Sequence, residues 1–328
     1  MRRILSFVLA VLLSVALLPS VTWAQKTKAV LLLTAVATSG NWDVEGYKAF
    51  KAMGDKYGME TSVVERASYA KASQIMRDYA SRGYGLIIAH SAGYGGAAIE
   101  VAREFPKSWF VIFSDLRSTG GRKNVAGWAF NWNEYGYLEG TLAGLMTKSN
   151  KIGIVAPIPI PSITRLLGGF MDGVKSVNTK AQVDVIWVQS WSDPAKGKEA
   201  ALQLVARGAD LLTHTSNITG WGIFEAAKQK KVWTIGNFSD ESERAPQHVI
   251  TSGILDFRRG YDEIGRLFKS GKLEAKVYRA NISNGDIYLT RFHKAVPPDV
   301  SKQVNGVKAK IASGDLKIRN VMYKPKKR

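Results

Sequence analysis

The chain has 328 residues, a length typical of about two domains, and its 45% hydrophobic and 22% charged residues are those of a globular protein. It contains no cysteine, which excludes disulfides, thiolate metal sites, a cysteine nucleophile and the lipid-modified cysteine of a lipoprotein. The net charge is +19, but the basic residues are scattered apart from the run at 324–328, so the charge indicates a solvated surface and predicts no nucleic-acid partner.

The first 24 residues predict a secretory signal peptide. Arg2 and Arg3 precede an apolar run over residues 4–18, and small residues at 22–24 suit a signal peptidase. The apolar run is too short to span a bilayer comfortably, although a permanent membrane anchor remains the alternative. We therefore expect a mature chain that begins at Gln25 and lies free in the periplasm, without a lipid anchor.

From Lys28 onward, β-rich runs alternate with helical stretches, a pattern typical of βαβ units and a parallel sheet. The first group is strand 29–37, helix 43–57, strand 60–65, helix 70–82, strand 86–91, helix 95–105 and strand 109–115. The second group is helix 134–147, strand 151–157, helix 162–176, strand 182–189, helix 194–207, strand 209–216, helix 219–228 and strand 232–237. A strand at 248–255, a helix at 257–269, a hairpin with its turn at Asn284-Gly285 and a helix at 299–312 complete the prediction.

A long-range repeat indicates that the two groups are similar lobes. The stretch from Arg82 to Asp115 returns 125 positions later as Arg207 to Asp240, and both copies begin Arg-Gly and end Phe-Ser-Asp. This predicts an α/β fold with two Rossmann-like lobes facing each other across a cleft, joined by several crossover strands. The expected bounds are 1–24 for the signal peptide, 25–130 plus about 251–285 for the N-terminal lobe, and 131–250 plus about 286–328 for the C-terminal lobe.

The sequence carries little that suits catalysis or a cofactor. The four histidines lack metal-ligand spacing, and no Gly-x-Ser-x-Gly elbow or P-loop occurs. The glycines of 93–98 approximate a dinucleotide fingerprint, but they follow the third strand, and close helix packing is the favoured interpretation. His90 and Ser91 are neighbours on a strand and would point to opposite faces. We expect no enzyme, no metal and no cofactor.

Aromatic and polar side chains gather instead where strands end. Trp42 follows the first strand and Trp191 the sixth, and Asn217 and the two Phe-Ser-Asp segments end others. Flat rings beside hydrogen-bonding groups suit a planar heteroaromatic ligand, since stacking contributes ~1–3 kcal/mol per base in nucleic-acid-binding proteins. The alternative is that both tryptophans only support the starts of helices.

Three segments carry a resemblance to a known family. They are Asn124 to Gly127 followed by Gly140-x-x-Ala143-Gly144; Lys151 to Val155 followed by Pro161 and Gly169-Phe170-x-x-Gly173; and Ser190-Trp191-x-Asp193-Pro194-Ala195-Lys196. On these residues the chain resembles the basic membrane protein family, the substrate-binding proteins of ABC importers related to the purine nucleoside receptor of spirochaetes. The resemblance implies a type I periplasmic-binding fold that encloses its ligand by hinge closure.

The resemblance also implies roles for single residues. Trp42 and Trp191 stand where the family has the stacking rings of its Lys-Ser-Phe-Asn and Ser-Phe-x-Asp-Pro segments. Asp115 stands at an acidic strand end and Asn217 in a polar loop. Nucleoside-binding members have Gly-Val-Asp-Ser-Asp where this chain has Phe238 in place of the first aspartate, the ribose contact. The chain is similar instead to a subset that binds free purine bases such as adenine.

Together these observations predict a monomeric periplasmic protein that captures a purine base, similar to adenine or hypoxanthine, and delivers it to an ABC permease. Alternatives are a nucleoside-binding protein, a ligand-binding sensor component and, least favoured, an enzyme that acts on purines. The residues expected to read the edges of the base are Asp240, Asn217 and Asp115, with Asn237 and Ser91 as further candidates.

Overall fold

Strands and helices alternate along the described part of the chain, residues 27–116 and 118–324 of a computed structural model. The predicted signal peptide lies outside these residues. The first elements are β1 (Lys28–Leu32), α1 (Trp42–Lys56), β2 (Glu60–Val64), α2 (Ala72–Ser81), β3 (Tyr84–Ala89), α3 (Gly95–Val101), β4 (Trp109–Ser114) and β5 (Val125–Phe130). Next come α4 (Trp132–Met146), β6 (Lys151–Ala156), α5 (Pro161–Val177), β7 (Gln182–Trp187), α6 (Pro194–Ala206), β8 (Leu211–His214), α7 (Trp221–Lys230), β9 (Trp233–Gly236) and β10 (Val249–Leu255). The last are α8 (Phe257–Lys269), β11 (Val277–Ala280), β12 (Ile287–Leu289) and α9 (Pro298–Ser313).

The strands form two six-stranded sheets of the same order. One sheet runs β2-β1-β3-β4-β5-β11 and the other β7-β6-β8-β9-β10-β12. Neighbouring strands are parallel in both sheets except β10 and β12, which are antiparallel. The matching order confirms the predicted α/β fold with two Rossmann-like lobes.

The chain crosses between the sheets after Phe130, after Leu255 and after Ala280. Asn131 caps α4 at the first crossing, and Asp256 accepts from the Arg258 N–H at 2.9 Å to begin α8 at the second. Because β10 pairs with β9 and β12, the return to the first sheet falls after Leu255 and not near residue 251.

The predicted hairpin around Asn284-Gly285 is wrong. Its two strands are present, but β11 pairs with β5 in the first sheet and β12 pairs with β10 in the second. The turn is real, since Gly285 has a φ of 82°. The segment turns there and completes the third crossing instead of folding back on itself.

Helices α4 and α5 lie backbone to backbone in the second lobe. A Cβ on Gly136 would lie 2.0 Å from the carbonyl oxygen of Leu166, and one on Gly173 would lie 2.2 Å from that of Tyr137. Only glycine permits so close an approach. This contact fixes α4, whose first turns carry side chains of the cleft described below. None of the helices in the described ranges is long and apolar enough to cross a membrane.

Candidate functional site

The two lobes meet at the carboxyl ends of their strands, where Trp42 begins α1. The half-buried ring of Trp42 is surrounded by other rings. Their centroids lie 4.9 Å away for Phe257, 5.0 Å for His90, 6.1 Å for Trp132, 6.2 Å for Phe238 and 6.3 Å for Phe130. We name these six residues the cleft cluster. Trp132 lies within 22° of parallel to Trp42, whereas Phe238 and Phe257 stand nearly perpendicular to it, at 88° and 86°.

Phe238 holds an unusual backbone conformation within the cluster. Its φ is 71°, in the left-handed region, and its side chain is only 4% exposed. Its N–H donates to the Tyr135 hydroxyl at 3.1 Å, and the two rings stack with centroids 6.1 Å apart. Such a conformation costs ~1–3 kcal/mol in a non-glycine residue, so the surrounding structure must hold Phe238 in place.

Asn41 joins the lobes beside Trp42. Its N–H donates to Asn217 Oδ1 at 2.6 Å, and its Nδ2 donates to Glu241 Oε1 at 2.8 Å and to the Asn237 carbonyl at 3.0 Å. Its Oδ1 accepts from Trp221 Nε1 at 3.2 Å. The backbone N–H and both polar side-chain atoms of this first-lobe residue are therefore bonded to the second lobe, so the structure is a closed form.

Glu241 is the buried acceptor at the centre of this network. Its side chain is almost fully buried, and its Oε2 accepts from the Asn237 N–H at 2.9 Å. His214 Nε2 lies 2.7 Å from the same oxygen, while His214 Nδ1 lies 2.8 Å from the Ser216 carbonyl. A buried carboxylate is tolerated when hydrogen bonds surround it, and these partners hold the loop after β9 in place.

Burial keeps two titratable side chains neutral in this region: the cluster member His90 and Glu139 on α4. Burial raises the pKa of Glu139 on α4 to about 8, and Asn237 Nδ2 lies 3.4 Å from its Oε2. Burial lowers the pKa of His90 to about 3. His90 Nε2 donates to the Trp42 carbonyl at 3.0 Å, and its Nδ1 accepts from the Tyr261 hydroxyl at 2.9 Å. His90 therefore supports α1 and is not poised as a base for Ser91.

The structure brings some of the predicted site residues together. Trp42, Asn217, Asn237 and Phe238 all belong to the cleft cluster or to its hydrogen-bond network. Asp115 also faces the opposite lobe, but its carboxylate forms an ion pair with Arg165 of α5. Asp115 is therefore a contact between lobes in this closed form.

Other predicted residues lie apart from this cluster. Trp191 is 37% exposed at the loop before α6 and does not occur among the aromatic ring pairs of the described chain. Asp240 is exposed and accepts from the Ser242 N–H at 3.0 Å, the role of a turn cap. The Ser91 hydroxyl pairs with that of Tyr69 at 2.8 Å.

Sequence reasoning missed several residues of the site. Tyr135 and Glu139 were predicted only as parts of helix 134–147, Trp132 lies just before that predicted helix, and Glu241 follows the Phe-Ser-Asp segment without having been considered. One signal was available, since a crossover helix that begins directly at a strand end must place its first turn at the cleft. In residues 27–116 and 118–324, no group of three or more His, Cys, Asp or Glu side chains is arranged to hold a metal ion.

Comparison with known proteins assigns the family. The profile of the family described as ABC transporter substrate-binding protein, PnrA-like, matches residues 26–321. A purine-binding protein of Brucella abortus is 28% identical over 267 residues, 81% of this chain and 74% of that protein. A putative glucose-binding protein of an ABC transporter of Haloferax volcanii is 26% identical over 84% of this chain and 70% of its own.

Two further matches agree in class. A nucleoside-binding protein of an ABC transporter of Lactococcus lactis is 29% identical over 71% of this chain and 73% of its own. A solved ABC transporter solute-binding protein of Conexibacter woesei superposes with a TM-score of 0.75 at 25% identity, covering 90% of this chain and 99% of that one.

The fold and the closed cleft are those of a solute-binding protein with a type I periplasmic-binding fold. The chain belongs to the PnrA-like, or basic membrane protein, family of ABC transporter substrate-binding proteins. It is therefore a binding protein that serves a permease and not an enzyme.

Proposed function

We propose that the protein captures a free purine base, of the adenine or hypoxanthine type, for import by an ABC transporter. The observation that carries this proposal is the cleft cluster, in which the indole face of Trp42 from one lobe meets the nearly parallel ring of Trp132 and the perpendicular ring of Phe238 from the other. A flat base gains ~1–3 kcal/mol from stacking on such a face. The Brucella relative, named for purine binding, supports the same ligand class.

Phe238 favours a base over a nucleoside. The family resemblance assigns its position to a ribose-binding carboxylate, and here a buried phenyl ring packs against Trp42, Trp132 and Tyr135. A phenyl ring offers no ordinary acceptor for sugar hydroxyls. Each hydroxyl buried without a partner costs ~1–3 kcal/mol, so a ribose at this place would weaken binding strongly.

We further propose that Trp191 covers the second face of the base. It lies at the carboxyl end of β7, and its carbonyl accepts from the Thr219 N–H at 3.1 Å, which ties its loop to the start of α7. Its exposed ring would then order on binding, whereas Trp42 is already held by a hydrogen bond from its Nε1 to the His90 carbonyl at 2.8 Å.

Calorimetric titration of matched pairs, adenine with adenosine and hypoxanthine with inosine, tests the ligand class. We expect each free base to bind at least tenfold more tightly than its nucleoside, since one unpaired hydroxyl is worth ~1.4 kcal/mol or more. Trp42→Ala and Trp191→Ala should each lose ~1–3 kcal/mol of binding free energy. Met322→Ala, which removes an exposed hydrophobic side chain far along the chain from the cleft cluster residues, is the control and should bind as the wild type does.

Two results would contradict the proposal. Equal or tighter binding of nucleosides would return the chain to the nucleoside-binding group and show that Phe238 does not exclude a ribose. Binding of glucose in preference to every purine would instead place it with the Haloferax relative.

We also propose that residues 1–24 direct export and that the mature protein is periplasmic and monomeric, without a lipid anchor. The arginines at 2 and 3, the apolar run and the absence of cysteine from the sequence support this. Intact-mass measurement of the exported protein should give a chain beginning at Gln25. Retention of the first 24 residues or added acyl chains would overturn it.

A further inference from the structure

Beside the cleft, four buried side-chain atoms lack hydrogen-bond partners among the described residues: Glu139 Oε1 and three that belong to groups able to donate. Trp132 Nε1, Thr215 Oγ1 and Ser216 Oγ have no hydrogen-bond partner within residues 27–116 and 118–324. Their side chains are at most 3% exposed. A buried polar group that stays unpaired costs free energy, so folded proteins rarely keep several in one region without a use for them.

The three groups belong to the two elements that face Trp42 from the second lobe. Trp132 begins α4 and is itself a member of the cleft cluster. Thr215 and Ser216 directly follow β8, where the Thr215 N–H continues the ladder to the Val155 carbonyl at 3.0 Å. The next residue, Asn217, accepts from the backbone of Asn41, which adjoins Trp42.

Trp132 is placed to meet a base that stacks on Trp42. Its ring is nearly parallel to that of Trp42, with centroids 6.1 Å apart. This centroid distance is that of offset rings, which overlap only in part. A base stacked on Trp42 beside Trp132 would meet the edge of the Trp132 ring, and the indole N–H lies in the plane of that ring.

We propose that Trp132 Nε1–H, together with the Thr215 and Ser216 hydroxyls, determines specificity by hydrogen-bonding the polar edge of the bound base. This inference rests on the proposed function and extends it to the groups that recognise the ligand. An indole N–H can only donate, so the ligand must present an acceptor there, such as a ring nitrogen or an exocyclic oxygen. The hydroxyls both donate and accept, and they suit the adjoining amino or N–H group.

This assignment replaces the carboxylates as readers of the base. Asp240 is exposed and caps a turn, and Asp115 is engaged by Arg165. Both carboxylates have partners already, whereas the three proposed groups have none within residues 27–116 and 118–324.

The decisive experiment measures the affinities of the wild type and of Trp132→Phe for adenine and for three analogues. In each analogue one ring nitrogen of adenine is replaced by C–H: 1-deaza-, 3-deaza- and 7-deazaadenine. In the wild type, one analogue should bind about tenfold more weakly than adenine, a difference of ~1.4 kcal/mol. In Trp132→Phe, adenine should fall to the affinity of that analogue, and the difference between the two should vanish. Trp128→Phe is the matched control, since its indole Nε1 is also buried without a partner but lies between Tyr278 and Phe113, away from Trp42.

Thr215→Val and Ser216→Ala give a second readout that a structural role would not produce. Removing an unpaired buried hydroxyl should leave the melting temperature unchanged or raise it, while adenine affinity falls several-fold. Thr234→Val removes a hydroxyl that donates to the His248 carbonyl at 3.3 Å, so it should lower the melting temperature and leave affinity unchanged.

The outcomes separate the two proposals. Suppose that the wild type binds adenine, that the wild type and Trp132→Phe respond alike to every deaza analogue, and that Thr215→Val and Ser216→Ala bind normally. The assignment of these groups to the edge of the base is then overturned, whereas the proposal of purine binding stands. If the wild type binds no purine base, both proposals fail.

Discussion

Glu139 shows how burial of one residue becomes a property of the whole protein. Its pKa is raised from an ordinary value of 4.5 to about 8, first because burial penalises the charged form. Between these values the folded protein keeps a proton that the unfolded chain has lost. The free energy of unfolding therefore falls as pH rises through this window, by up to ~1.4 kcal/mol per pH unit.

Glu139→Gln should remove this dependence. Glutamine keeps the neutral, hydrogen-bonding shape of the protonated acid but does not titrate. We expect the variant to gain stability relative to the wild type as pH rises from 5 to 8, measured by urea unfolding at each pH. Glu243→Gln, at an exposed position, is the control and should follow the wild type. Parallel curves for Glu139→Gln and the wild type would show that the acid ionises freely in the folded state.

From the sequence alone, a residue could be assigned to the cleft only where its position directly after a strand was sufficient to place it there. Trp42 was predicted from its place after the first strand, and the structure puts it in the cleft cluster. Asp115 and Asp240 were placed by the same rule, yet their side chains are set by partners that the rule does not consider. Arg165 lies fifty positions from Asp115, and the left-handed turn at Phe238 redirects the chain before Asp240.

At the scale of elements, alternation predicted most helices and strands to within a few residues, but two features escaped it. Strand β5 is buried at every position, so it lacks the alternation of a half-exposed strand, and Gly127 interrupts its apolar run. The residues near Asn284-Gly285 carry a genuine turn signal, but a turn does not reveal whether the flanking strands pair with each other. Here β11 pairs with β5 in the first sheet, and β12 pairs with β10 in the second.

The glycines of α4 and α5 explain why part of the family resemblance is visible in the sequence. A Cβ on Gly140 would lie 2.1 Å from the carbonyl oxygen of Phe170, and a Cβ on Gly169 would lie 2.2 Å from that of Asn133. Side chains there would push α4 away from α5. Helix α4 carries Trp132, Tyr135 and Glu139. The packing of α4 on α5 therefore positions both the cleft cluster and the buried acid.

For the whole molecule, three crossings form the hinge and a few polar contacts hold the closed form. The contacts are those of Asn41 with Asn217, Asn237, Glu241 and Trp221, and the ion pair of Asp115 with Arg165. Each intramolecular hydrogen bond contributes ~0.5–1.5 kcal/mol net. Such contacts bias the equilibrium between open and closed forms, and a ligand that prefers the closed form shifts the same equilibrium.

Asn41→Ala should therefore open the ligand-free protein and weaken binding through the conformational equilibrium. The substitution removes the side-chain bonds to Glu241, Asn237 and Trp221, so the closed fraction falls and apparent affinity falls by the same factor, about tenfold or more. Small-angle scattering should show a larger radius of gyration without ligand and a return to the compact form at saturating adenine. Asp115→Asn should act in the same direction, whereas Lys48→Ala, which breaks an exposed pair with Glu45 within α1, should change neither quantity. An unchanged radius of gyration with unchanged affinity in both interlobe variants would show that these contacts do not control closure.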